Sequence, residues 1–193
     1  MADPAPANQP WPARITSDRY FALVDEGVLH PDDRVELLEG VIVAMSPRNA
    51  RHDAGVARAD YAVRAAVGGR AILRIQSSLV LSRFSVPEPA VAVVPGRLAD
   101  YDAAHPTTAL LVIEVSDTSL VQDRLTKAAI YAAAGIPEYW LVNLRDDCVE
   151  VFRQPDRTAR VYRNVVVARR GERLMLVALA DASIAVDDLL PGR

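Results

Sequence analysis

The chain has 193 residues, 51% of them hydrophobic and 24% charged, a length and composition that suit one domain with a substantial core. Its formal net charge of -3 argues against the broad basic surface of a protein that holds nucleic acid tightly, yet allows a local basic cleft or an enzyme that must release its product. Cys148 is the only cysteine, and His30, His52 and His105 are the only histidines; this excludes an intramolecular disulfide, offers no local zinc motif, and leaves oxygen as the main ligand for any metal, as with magnesium or manganese.

Residues 1–13 are rich in Pro and Ala without periodicity and read as a flexible arm, which leaves one domain over residues 14–193. No apolar run approaches the roughly 20 residues that span a bilayer, and the start lacks the basic and apolar blocks of a signal peptide, so a cytoplasmic protein is expected. Thr16–Leu29 has helical spacing behind a Thr/Ser cap, with fraying at Gly27. Val35–Met45 reads as a β-hairpin turning at Glu39-Gly40. Asn49–Val67 is an Ala-rich helix closed by Gly68-Gly69. Strands are expected at Ala71–Leu81, Val91–Val94 and Ala109–Val115; the third is apolar on both faces up to Glu114, the mark of a central strand covered on both sides. Ser119-Leu-Val-Gln122 has the form of a capping box, opening a helix that ends near Ala134 before Gly135 and Pro137. Glu138–Asn143 and Cys148–Phe152 are further strands, and residues 160–190 supply one or two peripheral ones. The order describes an α/β sandwich around a mixed sheet.

Glu114 is the most informative residue, because a carboxylate near the end of an apolar central strand is costly to desolvate unless a cation or hydrogen-bond donors meet it. The alternative is a glutamate just past the sheet edge, in solvent or beside an arginine. Asp123, Lys127 and Tyr131 follow at i, i+4 and i+8 on one helix face that can fold back over that strand. Lys127 is the only lysine in the chain. It forms either an exposed pair with Asp123 or, beside a metal held by Glu114, an electrostatic helper for phosphate or water. Glu36, on the first strand of the hairpin, could reach the same place, whereas Glu39 serves the turn. Arg51 and His52, near a helix start, are candidates for phosphate contact or ordinary surface residues. Gln76 could position water or backbone, or be a satisfied sheet-edge amide. Tyr139 and Trp140 read as core or interface aromatics.

Three stretches, GVIVAMSPRNARH (40–52), VPEPAVAVVPGR (86–97) and LLVIEVSDTSLVQDRLTKAAIYAAAGIPEYWLVNL (110–144), resemble in that order the bacterial restriction-endonuclease family labelled Uma-two, of the PD-(D/E)XK nuclease superfamily. The resemblance implies a restriction-endonuclease-like core, a mixed β-sheet flanked by helices, with Mg²⁺ or Mn²⁺ bound at acidic residues near a bend in the sheet. It matches Glu114 to the late-strand acid, Lys127 to a lysine moved onto the following helix (Ser116 stands where many superfamily members carry it), Glu36 to the early hairpin glutamate, and Gln76 to a polar strand position. Glu114 and Glu36 are then the metal-ligand candidates, and Arg51, His52 and Tyr131 the candidate nucleic-acid contacts. It also leads one to expect Pro-Asp where the chain has Pro89-Ala90. A methyl group cannot coordinate a cation, so Mg²⁺ binding should be greatly weakened. Glu88 shares a strand face with Ala90 only at about 6 to 7 Å along an extended chain, too far for ready rescue.

The implied function is a metal-dependent DNA endonuclease hydrolysing phosphodiester bonds, impaired at Ala90, whether by nature or by engineering. The alternative is a non-catalytic nucleic-acid-binding or assembly protein on a nuclease scaffold. DNA is the expected partner, and a homodimer is expected by analogy. A sugar hydrolase using Glu114 and Glu36 as facing carboxyl groups ranks far behind.

Overall fold

A computed structural model describes residues 14–192, and the arm expected over residues 1–13 lies outside the described residues. Helix α1 (Ser17–Asp25) is capped by Thr16, whose Oγ1 accepts the Arg19 N–H at 3.3 Å. Strands β1 (Val35–Leu38) and β2 (Val41–Ala44) pair antiparallel, Glu36 opposite Val43. Both turn residues, Glu39 (φ 53) and Gly40 (φ 84), are left-handed, the backbone a two-residue hairpin needs to follow the strand twist. Helix α2 (Ala50–Val67) starts at Asn49, whose Oδ1 accepts the His52 N–H at 2.9 Å, and stops at left-handed Gly68.

The principal sheet has six strands: β3 (Ile72–Ile75), β4 (Val91–Val94), β5 (Leu111–Ser116), β6 (Glu138–Asn143), β7 (Cys148–Asp156) and β8 (Val161–Arg169). They lie side by side in chain order, and β5 and β6 form the one parallel pair. A parallel pair needs a crossover; here it is a helical run made of α3 (Leu120–Gln122), a π-helical turn (Asp123–Lys127) and α4 (Ala128–Ala134). α2 covers one face of the sheet against Ile113, Val115, Trp140 and Val142, while Ala128 and Tyr131 cover the other against Val112, Tyr139 and Leu141. Every residue of β5 and β6 is buried, as expected for central strands covered on both sides. α2 lies close enough to β5 that a Cβ on Gly55 would fall 2.8 Å from Val115 Cγ1.

The β1–β2 hairpin attaches to the loop before β4 through reciprocal backbone bonds between Leu37 and Val86 of 2.7 and 3.3 Å. Tyr20, Leu37 and Val86 form its own small core. A second hairpin, β9 (Arg173–Leu176) and β10 (Leu179–Ala185), leads into α5 (Val186–Leu189), which packs on α2. Among the described residues no helix is long and apolar enough to cross a membrane.

The architecture is the mixed, helix-flanked sheet that the sequence predicts, with three local differences. The strand expected over Ala71–Leu81 ends at Ile75, because Gln76 turns left-handed (φ 44) and carries the chain out of the sheet. The capping box at Ser119 does not form: its φ and ψ are -91 and 7, and its hydroxyl donates to the Asp123 carboxylate instead. The tail supplies three strands rather than one or two, because β7 runs on to Asp156 and offers β8 a long edge.

Candidate active site

Glu114 is the fourth residue of β5, and strand alternation turns it away from α2 toward the helical crossover. The crossover brings Lys127 and Tyr131 onto it. Lys127 Nζ lies 2.9 Å from Glu114 Oε1 and 3.0 Å from Glu36 Oε1 on the hairpin, with Asp123 Oδ1 at 3.9 Å. Tyr131 donates its hydroxyl to Glu114 Oε1 at 2.7 Å, and the Ala90 N–H donates to Glu114 Oε2 at 3.3 Å. Glu36 Oε2 accepts the Glu88 N–H at 3.2 Å. Asp123 is steadied by Ser119, whose Oγ donates to Oδ2 at 2.7 Å. Three carboxyl groups and one ammonium from three segments therefore meet in one buried cluster.

The π-helical turn contributes to this meeting. The Ala128 N–H reaches back to the Asp123 carbonyl, five residues earlier, so Asp123 and Lys127 occupy a single widened turn and both are buried. Such single-turn insertions recur at functional sites.

Three carboxylates around one ammonium, all out of water, cannot all be charged cheaply. Burial pushes the Glu114 carboxyl up to about 7; Lys127 opposes the shift, while Asp123 and Glu36 add to it. Burial also works against the Lys127 ammonium, but Glu114, Glu36 and Asp123 together hold its pKa above the ordinary lysine value. The Tyr131 hydroxyl is driven well above its usual range by burial and by Glu114, so it remains a donor. Glu88 is raised by burial, with the Ser78 hydroxyl that bonds it at 3.1 Å pulling the other way.

A cleft opens over this cluster, lined by Glu36, Glu88, Ala90, Glu114 and Lys127 on its floor and by Arg34, Arg48, His52 and Gln76 on its walls. Of the residues singled out in the sequence, Glu36, Gln76, Ala90, Glu114 and Lys127 thus share one cleft. His52 reaches it too, with Nδ1 buried and without a hydrogen-bond partner. Arg51 is exposed on the first turn of α2. Tyr131, expected among the nucleic-acid contacts, lies fully buried beneath Glu114. Sequence reasoning passed over Arg34 and Arg48 and treated Asp123 only as a partner for Lys127. It also missed a further buried carboxylate, Glu150, on the same sheet face as Glu114 and held by Arg124 and Asn143; its alternation along β7 with Val149 and Val151 was the available signal.

The donors present do not make a cage for a divalent cation. Ala90 brings no side-chain oxygen and its carbonyl accepts the Gln76 N–H at 3.3 Å, Glu36 is engaged by Lys127 and by the Glu88 N–H, and the ammonium sits between the two glutamates. Among the described residues no group of three His, Cys, Asp or Glu is placed to hold a metal ion.

A helix, three antiparallel strands, a crossover helix and a parallel fourth strand make up a mixed, helix-flanked sheet of the restriction-endonuclease-like kind. The Uma2 family model, described as "Putative restriction endonuclease", matches residues 18–187, and the chain belongs to that family. The solved structure of a "putative nuclease belonging to DUF820" from Anabaena variabilis is similar at a TM-score of 0.70 and 16% identity, over 91% of this chain and 97% of that one. At that identity the likeness is one of fold. A search of curated proteins finds no match.

Proposed function

We propose that this chain is a DNA endonuclease scaffold, one domain over residues 14–193, whose cleft receives a phosphodiester and whose hydrolytic step is impaired at Ala90. The observation that carries the reading is the Lys127 ammonium, buried at the cleft floor between Glu36 and Glu114. A fixed cation in a site shielded from water is suited to meet charge developing on a phosphoryl oxygen, and it needs no reorganisation to do so. Tyr131 and the Ala90 N–H fix the Glu114 carboxylate that holds it. Ala90, whose N–H bonds Glu114, is the missing part, the position where the family resemblance leads one to expect an aspartate.

The test is cleavage of supercoiled plasmid with Mg²⁺ or Mn²⁺, comparing the chain with Ala90→Asp and with Ala90→Asp carrying Glu114→Ala. The expected result is little cutting by the parent, nicking or linearisation by Ala90→Asp, and loss of that gain when Glu114 is removed. Intact plasmid with a folded Ala90→Asp variant overturns the reading. A second reading, a nucleic-acid-binding or assembly protein without catalysis, is favoured by the self-contained pairing of Lys127 with its carboxylates. It predicts binding that persists in EDTA and no cleavage from Ala90→Asp. Double-strand cutting by the restored form would call for two sites, which a two-fold dimer supplies.

A further inference from the structure

We propose that Arg34 and Arg48 form a subsite for a backbone phosphate of a bound nucleic-acid strand, beside the Glu114 and Lys127 centre. The proposal rests on the nuclease reading of that cleft and adds to it the residues that seat the strand.

Both arginines line the cleft above Glu114, and both continue into an adjoining groove with Met45, Ile75, Gln76 and Glu88. The groove gives a chain running over Lys127 a way out past the open end of the hairpin. Most arginines near buried structure here already have partners: Arg124 holds Glu150, Arg153 holds Glu138 and Arg170 holds Asp147. Among the described residues Arg34 and Arg48 have no ion pair within 4.0 Å and no side-chain hydrogen bond, and Arg48 acts on Glu88 only at longer range, drawing its carboxyl pKa down. Arg34 goes further, since its Nε is buried and unpartnered. A buried donor left in that state has given up its water without a replacement bond, a loss that an incoming acceptor would make good.

The backbone also holds Arg34 in place. Its φ of 47 is left-handed, uncommon for a residue with a side chain, and its carbonyl is tied to the Met45 N–H at 2.8 Å. That conformation sits two residues before Glu36. A guanidinium fork matches the paired oxygens of a phosphate, so a fixed one beside a buried lysine suits a polyanion. The cleft also holds carboxylates, but they have partners of their own: Glu36, Glu114 and Asp123 gather around Lys127, and Asp117 accepts the Asn49 side-chain amide at 3.0 Å. Glu88 lies in the groove with its carboxyl bonded to Ser78, and Asp32 stands at the rim, almost fully exposed and beside His30. A net charge of -3 for the whole chain makes such a local basic wall the place where strand affinity would concentrate.

The test is binding of a short fluorescein-labelled DNA duplex to the full chain by anisotropy, in EDTA so that cleavage does not interfere, over a range of salt. A matching RNA duplex distinguishes the two kinds of strand. Arg34→Gln with Arg48→Gln should lose about tenfold or more in affinity, and the slope of log K against log salt should fall by about 0.9 for each phosphate contact removed. Arg34→Lys should keep much of the slope, and Arg58→Gln, on the outer face of α2, should change nothing. If the Arg34 variants do not fold, Arg48→Gln alone, at an exposed position, should still lower the slope; an unchanged slope overturns the subsite. So does a folded double variant that binds like the parent, or a parent that binds neither strand. The same substitutions in the Ala90→Asp background separate this proposal from the nuclease reading. Cleavage with an unchanged KM sinks the subsite alone. No cleavage, with binding that still depends on the two arginines, sinks the nuclease reading and keeps the subsite.

Discussion

Replacing Lys127 with Met removes the one cation that, among the described residues, sits between Glu36, Glu114 and Asp123. The side chains involved are 7% exposed for Lys127, 3% for Glu36, 8% for Glu114 and 4% for Asp123, so water cannot take the place of the ammonium. Removing one partner of a buried ion pair costs about 3–5 kcal/mol, because the other charge is left uncompensated. Met preserves most of the packing volume, so the loss is chiefly electrostatic. For a domain of this size each kcal/mol moves Tm by about 2–4 °C, which gives a fall of roughly 6–20 °C. Thermal unfolding followed by circular dichroism at about pH 8 measures it. At about pH 5.5 the orphaned carboxylates can take up protons, and the loss should shrink. A Lys127→Met variant that unfolds within about 2 °C of the parent at both pH values would show that the cluster is not the closed, charged unit described here.

Glu114 supplies a pH profile. Its carboxyl is held at about 7, above the ordinary 4.5, chiefly by burial. A raised acid contributes stability that is complete below its unfolded pKa and is lost as pH rises through the folded one. The parent should therefore lose up to about 3 kcal/mol between about pH 4.5 and 7, and Glu114→Gln should flatten that part of the curve; identical profiles would remove Glu114 as the source. Gly55→Ala places a methyl 2.8 Å from Val115 Cγ1, and overpacking of this kind costs about 1–3 kcal/mol. Urea unfolding checks it, and a variant as stable as the parent would mean that α2 is free to move off β5.

The central sheet was legible because its signals are local. The apolar run at Leu111–Val115, the Gly135 stop and the Glu-Gly turn each have a single good conformation. Boundaries set by distant partners were not. Nothing in LRIQSSLVL says that the strand ends at Ile75, since that depends on the loop before β4 crossing to meet Leu37. The length of β8 likewise follows from its pairing with β7 rather than from its own residues. At the site, the spacing of Asp123, Lys127 and Tyr131 correctly predicts one helix face, and the isolated carboxylate of Glu114 predicts that a cation should meet it. The π-helical turn is invisible in sequence, because neither DRLTK nor its neighbours differ in propensity from an ordinary helix. Arg34 and Arg48 escaped notice because one precedes the hairpin and the other precedes α2. Only the folding of those two segments against the loop before β4 places them on one wall.

The measurement that reaches the central claim most directly is calorimetric titration of Mn²⁺ into the parent and into Ala90→Asp, since metal binding is read without any requirement for turnover. The parent, with a methyl beside Glu114 and an ammonium between the two glutamates, should show no saturable site. Ala90→Asp should show one that disappears with Glu114→Ala. Binding of equal affinity in the parent and in Ala90→Asp would contradict the account.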